Sequence, residues 1–185
     1  MQALLRLASA VDRMNALIGR AALWLTLVMV LLGFASAVLR DAGQHLGRNL
    51  SSNMALEAQW YMFSLVFLLV APYALQKDAH VRVDVLYSRL NPRARAWINL
   101  LGSIVFLIPF CLAVIYFSYP FVASSVASLE TSLDPGGLAR WPLKIAIPVA
   151  FALMALQGVS AAIHAAAVLA GREPGRAAPD HGGEA

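Results

Sequence analysis

Apolar positions along the chain fall into four long runs, each about the length needed to cross a bilayer core of about 30 Å, which takes roughly 20 helical residues. The first run is Ala21 to Leu39, between Arg20 and Arg40, with no charge inside it. The second extends from about Ala58 to Gln76, between Glu57 and Lys77, and the third from about Ile98 to Ser118, after Arg93, Arg95 and Trp97. The fourth extends from about Ile145 to Ala170, between Lys144 and Arg172. In hydrocarbon every backbone amide needs an internal partner, so runs of this kind predict membrane-spanning helices. The expected fold class is therefore an all-α membrane protein of four transmembrane helices, residues 21–170.

The polar intervals have patterns of their own. Arg6, Arg13 and Arg20 recur every seven residues, opposite a stripe of Leu4, Leu7, Val11, Met14 and Ile18. This predicts an amphipathic interfacial helix over residues 1–20, lying in the headgroup layer before the first span. Asn91-Pro92 reads as helix cap and first helical residue of the third helix, and Asp134-Pro135-Gly136-Gly137 as a turn. Trp60, Tyr61, Trp97, Tyr116, Tyr119 and Trp141 fall near expected span ends, where aromatic rings favour the interface. Residues 171–185 turn to Pro, Gly, Ala and charge, which predicts a disordered tail. Ala35-Ser36-Ala37 resembles a signal-peptidase site, but the first apolar run is long for a signal peptide and starts late, so it is expected to stay as a span.

Charge sets the orientation. Of the 14 Lys and Arg, ten lie in the N-terminal segment, the middle loop (Lys77, Arg82, Arg89, Arg93, Arg95) and the tail; four, Arg40, Arg48, Arg140 and Lys144, lie in the two other loops. The positive-inside rule then puts both termini and the middle loop in the cytoplasm. Composition agrees with a membrane protein: 60% of the 185 residues are hydrophobic and 13% charged, where soluble chains carry about 25% charge. The net charge of +4 sits at span ends rather than on one continuous face, so membrane lipids, and no nucleic acid, are the expected contacts. Cys111, the one cysteine, excludes an internal disulfide and a paired thiolate metal site.

The spans themselves hold no Asp, Glu, Lys or Arg. An ion-coupled carrier normally keeps such a group at membrane depth, so the chain is expected to support a partner rather than to transport alone. Ser, Thr, Asn and Gln in the spans are expected to bond to the backbone or across helix contacts. Pro72, Pro109 and Pro148 predict bends. Gly158, Ala161, Ala162, Ala165 and Ala166 make a small-residue face for close helix contact, within the chain or with a partner. His80 and His164, on different helices at one end, could ligate a haem as in a respiratory membrane anchor; the competing reading is an interfacial histidine that is hydrated or carbonyl-bonded. No nucleophile motif, phosphate loop or metal-ligand spacing is present, and neither enzyme activity nor a cofactor is expected.

The most distinctive stretch runs from Glu57 to Pro92. Glu57 opens a helix with Trp60 one turn on, and His80-Val81-Arg82-Val83-Asp84 alternates polar and apolar residues after the helix ends. The alternation reads either as a short amphipathic element at the headgroups, with Arg82 and Asp84 able to pair, or as a solvated loop. With four spans, Glu57 and this signature, residues 15 to 168 resemble the small membrane subunit (DctQ-type) of tripartite ATP-independent periplasmic, or TRAP, transporters. Gln59-Trp60-Tyr61, Asp84-Val85-Leu86-Tyr87, Gly136-Gly137-Leu138 with Arg140-Trp141-Pro142, and Leu156-Gln157-Gly158 resemble its mannitol or chloroaromatic branch. Leu69-Val70-Ala71-Pro72 departs from it where many members carry a glycine.

The resemblance implies a division of labour. A periplasmic solute-binding protein captures an organic acid or related solute, and a large permease subunit holds the sodium and substrate sites and moves as an elevator. The small subunit scaffolds the large one and helps form the docking face. It also implies partner or lipid contacts at Glu57, Trp60, His80, Arg82, Asp84, Arg140 and Trp141.

Overall fold

The computed structural model describes residues 1–48, 52–78 and 90–172. Four helices account for almost all of them: α1 (Gln2–Leu46), α2 (Asn53–Gln76), α3 (Pro92–Ala127) and α4 (Trp141–Leu169). All four are long and apolar enough to cross a membrane, and among the described residues there is no strand, only an isolated bridge between Thr131 and Ala139. Each expected span lies within one helix, the fourth to within a residue of its end. The start of α1, the end of α2, the start of α3 and the end of α4 lie at one end of the bundle, the terminal end; the end of α1, the start of α2 and the α3–α4 connection lie at the other, the loop end.

Local sequence accounts for the element boundaries. Asn91 caps α3, its Oδ1 accepting from the Ala94 amide at 2.9 Å, and Pro92 occupies the first turn where no intrahelical donor is lost. Helix α3 is π-helical from Gly102 to Leu107, with the Ile108 amide donating to the Ser103 carbonyl five residues back. Pro109 follows at once. In an α register its ring would crowd the Val105 carbonyl, and the wider turn before it relieves that clash.

Helices α1, α3 and α4 end in the same hydrogen-bonded turn, with the residue past the cap in the left-handed region. In α1 this is Gly47 (φ 63) and in α4 Gly171 (φ 67), but in α3 it is Leu129 (φ 46). The Leu129 amide donates to Val126 at 3.1 Å and the Glu130 amide to Ser125 at 3.0 Å, which is the six-to-one and five-to-two pairing of a Schellman cap. Glycine enters that conformation freely, whereas a residue with a Cβ loses about 1–2 kcal/mol.

Packing follows the rules of lipid-embedded helices, with small residues inside and bulky ones outward. The buried apolar set is Ala8, Ala22, Ala96, Cys111, Ala150, Ala165 and Ala167, while Trp24, Phe34, Phe67, Phe106 and Phe117 are exposed. Helix α4 is central and touches the other three; α1 and α2 lie against each other, and α3 packs chiefly on α4. Gly19 lets α1 approach α2 so closely that a Cβ there would stand 2.6 Å from Cγ of Tyr73. Gly158 does the same for α4 on α3, where a Cβ would stand 2.9 Å from Cδ2 of Leu107. The small-residue face of α4 therefore meets α3 of its own chain at Gly158.

Helix α1 is unbroken through Arg20, where the expected interfacial segment meets the expected first span. At 1.5 Å per residue its 45 residues reach about 67 Å, more than twice the bilayer core. The side of residues 2–20 turned into the bundle is neither the arginine row nor the leucine stripe. It consists of Ala8, Asn15 and Gly19, all buried, with Asp12 between them. Leu4, Leu7 and Met14 are exposed.

Candidate functional site: a fastened loop at one end and a polar cluster at the other

The connection between α3 and α4, residues 128–140, folds back as a small hairpin. The Ser132 amide donates to the Leu138 carbonyl at 2.9 Å and the Arg140 amide to the Glu130 carbonyl at 2.7 Å. The expected turn closes it, with Gly137 donating to Asp134 at 3.0 Å and Gly136 at φ 74.

Three side chains of α2, spaced four apart and so on one face of the helix, fasten this hairpin across the loop end. Asn53 Nδ2 donates to the Pro135 carbonyl at 3.2 Å. Glu57 accepts from the Ser132 hydroxyl through Oε1 and from the Leu138 amide through Oε2, the latter at 2.5 Å. The Tyr61 hydroxyl donates to the Ala139 carbonyl at 2.5 Å. Glu57 is 3% exposed, so its carboxylate depends on these donors to replace water. Gly137 is required for this closeness, since a Cβ there would lie 2.7 Å from both Glu57 Oε2 and Ser132 Oγ.

A second carboxylate completes the fastening. Glu130 accepts from Lys144 and from the Ser125 hydroxyl, the latter at 2.7 Å. Lys144 also stands 4.0 Å from the centroid of the Phe121 ring, a cation–π contact. The hydrogen bond from Lys144, then that from Ser125, hold the Glu130 carboxyl below the usual carboxylate range against a smaller opposing effect of burial. A carboxyl lowered by folding adds stability above its ordinary value near 4.5 and loses it as pH falls through the lowered one. A fluorescent probe on the hairpin should therefore report a fixed loop at neutral pH and a loosening only below about pH 4.5. Glu57 is lowered in the same direction by its bonds from Ser132 and Leu138, so Glu130→Gln should remove only part of that acid transition.

The expected contact residues divide clearly. Glu57 is buried and faces the hairpin, whereas Trp60 is 44% exposed and stacks edge-on against Tyr61 at 5.1 Å between centroids. Arg140 is half-buried and turns inward, with a guanidinium nitrogen 3.4 Å from Ser132 Oγ; its Nε is buried without a hydrogen-bond partner among the described residues. Trp141 is half-buried and starts α4, followed by Pro142 in the first turn. His80, Arg82 and Asp84 lie outside the described residues.

At the terminal end a polar cluster joins three helices around Asp12. Its Oδ1 accepts from Gln157 Nε2 at 2.8 Å and lies 2.7 Å from Ser160 Oγ; its Oδ2 lies 3.2 Å from His164 Nε2. Gln157, Ser160 and His164 share one face of α4 by their spacing. Asn15 Nδ2 donates to Gln157 Oε1 at 2.7 Å, and Gln76 of α2 donates to the Asp12 backbone carbonyl at 3.0 Å. Asn15, Gln157 and Ser160 are all buried.

This cluster adds a carboxylate to the polar inventory of the helix bundle. The four spans carry no acid in their own sequences, but α1 brings Asp12 beside residues 157–164, well inside the fourth span. The carboxylate is engaged by its three α4 partners and serves to hold α1 on α4. His164, the histidine weighed for haem ligation, is directed at Asp12. Among the described residues no group of three or more His, Cys, Asp or Glu could hold a metal ion.

Sequence reasoning identified Glu57 but not its partners. Ser132 and Leu138 stand 75 and 81 residues away in the chain. The fourfold spacing Asn53, Glu57, Tyr61 is a signal that could have indicated a polar face on α2. For the terminal end the comparable signal is Gln157, Ser160 and His164, a polar line within an otherwise apolar helix.

Comparison with known proteins agrees with this architecture. No match was found among curated proteins or among solved structures. The family model described as "Tripartite ATP-independent periplasmic transporters, DctQ component" matches residues 29–168. That stretch contains α2 and α3 whole, α4 except its last residue and the second half of the apolar part of α1, together with both residues that anchor the hairpin by a carboxylate, Glu57 and Glu130. With four apolar helices and a match over most of its length, the chain belongs to the DctQ family and is a multi-pass membrane component of a TRAP transporter.

Proposed function

We propose that this chain is the small subunit that braces the large, elevator-type permease of a sodium-coupled TRAP transporter and helps seat the periplasmic solute-binding protein, for uptake of an organic acid or related solute. The observation that carries this reading is the fastened hairpin. A loop held by Asn53, Glu57 and Tyr61 from one helix, and by Glu130 and Lys144 between two others, has a fixed surface to offer a partner. A fixed surface lowers the ordering cost of binding.

In this reading both termini are cytoplasmic, following the ten-to-four distribution of Lys and Arg, and the hairpin is periplasmic. The polar cluster around Asp12 holds the N-terminal part of α1 against the bundle, so that residues 2–20 brace the cytoplasmic side. Trp60 and Trp141 sit at the periplasmic interface. Glu57 and Arg140 shape the docking face from beneath, and His80, Arg82 and Asp84 contact the large subunit or lipid headgroups. Sodium and substrate ligands belong to the large subunit. Within the family, this reading assigns the chain to the mannitol or chloroaromatic branch, on the resemblance of Gln59-Trp60-Tyr61 and Leu156-Gln157-Gly158.

The test is mild detergent purification of the tagged chain from its native host, with mass spectrometry of what comes with it. A much larger multispanning subunit in near-equal amount is the expected result. Recovery of the chain alone, or with coloured redox subunits, would refute the reading.

A further inference from the structure

We infer that the flank of the bundle where α3, α4 and the start of α1 meet is a binding site for one anionic phospholipid, its acyl chain in an apolar cleft and its phosphate on Arg93. Helices α3 and α4 touch at Gly158, where a Cβ would stand 2.9 Å from Cδ2 of Leu107. Towards the terminal end a cleft of about 370 Å3 opens between them, lined by Ala162 and Ala166 of α4, by Leu100, Ile104 and Ile108 of α3, and by Leu4 of α1. Ala162 and Ala166 belong to the small-residue face suited to close helix contact. Here they face the cleft instead and are only half-buried.

The dimensions select a chain rather than a helix as occupant. From Leu100 to Ile108 the cleft runs about 12 Å at the helical rise, which makes its section about 30 Å2. That admits one extended alkyl chain, whereas a helix with its side chains is about 10 Å across. Helix α3 marks the polar end. Arg93, Trp97, Leu100 and Ile104 follow at helical spacing and share one face. From the terminal end inward this row presents a cation, an aromatic ring of the kind that favours the interface, and then alkyl side chains. A phospholipid has the matching order of phosphate, glycerol and acyl chain. Arg93 and Trp97 are both exposed, and Arg93 forms no ion pair among the described residues, so its guanidinium can take a phosphate as a two-pronged donor. Arg6, Arg13, Lys77, Arg95 and Arg172 stand at the same end, against two acids among the described residues, Asp12 and Asp78. That balance favours an anionic over a zwitterionic headgroup.

The experiment takes the complex purified through the tagged full-length chain, places it in nanodiscs of equal parts phosphatidylglycerol and phosphatidylcholine, and reads retained lipid by native mass spectrometry. One phosphatidylglycerol per chain, retained about tenfold over phosphatidylcholine, is the expected result. Arg93→Gln should lower that retention about tenfold through loss of a charge-assisted bond, and Ala162→Leu, which fills the floor of the cleft, should lower it as much. Arg13→Gln removes an exposed charge about 13 Å along α1 from Leu4, beyond the Debye length of about 8 Å, and should retain lipid as wild type does. A photoreactive side chain at position 104 should crosslink to lipid. Equal retention of the two lipids, retention by Arg93→Gln or Ala162→Leu within about twofold of wild type, an equal loss with Arg13→Gln, or crosslinking from position 104 to the large subunit would each overturn the inference. All of these leave the proposed function standing, since that reading fails only when no large subunit accompanies the chain.

Discussion

Replacing Glu57 by alanine should release the hairpin and reduce docking of the solute-binding component by an order of magnitude or more, without unfolding the four helices. The carboxylate is the shared acceptor for the Ser132 hydroxyl and the Leu138 amide. Removing it leaves both donors without that acceptor and opens a space beneath the turn that Gly137 had kept narrow. Glu57→Gln should fall between alanine and wild type. Its amide keeps one oxygen to accept but presents an NH2 group where the second donor already points. Tyr61→Phe removes only the bond to the Ala139 carbonyl and should have the smallest effect of the three. Limited proteolysis of the 128–140 segment and partner binding, measured on the same preparations, check this order. Equal behaviour of Glu57→Ala and wild type in both would show that the hairpin does not depend on α2.

Replacing Asp12 by alanine should detach the N-terminal part of α1 from α4. Gln157, Ser160 and His164 all lose their acceptor at once. Interhelical hydrogen bonds in membrane proteins average about 0.6 kcal/mol, because the unfolded chain in lipid also finds partners, so three of them amount to about 2 kcal/mol. Gln157 and Ser160 are buried, but Gln157 keeps its bond from Asn15 and Ser160 its bond to the Ala8 carbonyl, so the cost stays near that figure. Asp12→Asn retains an acceptor and should lose about half as much. The check is hydrogen exchange of residues 2–20 in nanodiscs, where Asp12→Ala should exchange faster over that segment while α2 and α3 stay protected. Removing the arginine row instead, at Arg6 and Arg13, should leave this protection intact, because neither residue belongs to the buried face.

The two ends of the bundle differed in how far they could be read from sequence, and the reason is physical. The spans were legible because a bilayer demands about twenty apolar residues in succession, and the start of α3 was legible because Asn91-Pro92 is a local signal. Glu57 was legible as an acid near the start of a helix, although it does not open it: α2 begins four residues earlier, at Asn53. The purpose of Glu57 was not legible, because Ser132 and Leu138 reach it through a fold that brings α2 beside the α3–α4 connection. Asp12 was harder still. The heptad of arginines and the leucine stripe gave residues 1–20 a convincing amphipathic pattern. The face that enters the bundle is built from Ala8, Asp12, Asn15 and Gly19, small and polar residues that a hydrophobic pattern does not mark. Small-residue packing also left the contacts of α4 undecided until Gly158 was placed against Leu107 and Ile108. The π-helical turn at Gly102–Leu107 had one local sign, Pro109, which predicts a disturbance but not its form.

The two clusters give the chain a consistent design. Its helices carry bulky side chains outward and small ones inward, while its carboxylates engage loops and helices of its own chain. Glu57 and Glu130 fix a surface at one end, and Asp12 fixes a long helix at the other. These features suit a component that positions other proteins.

The measurement that tests this most directly is sodium-driven solute uptake into proteoliposomes holding the large subunit and the solute-binding protein, with and without this chain. The account predicts uptake only when the chain is present, and a loss of most of that uptake with Glu57→Ala. Equal uptake by the large subunit without this chain would contradict it.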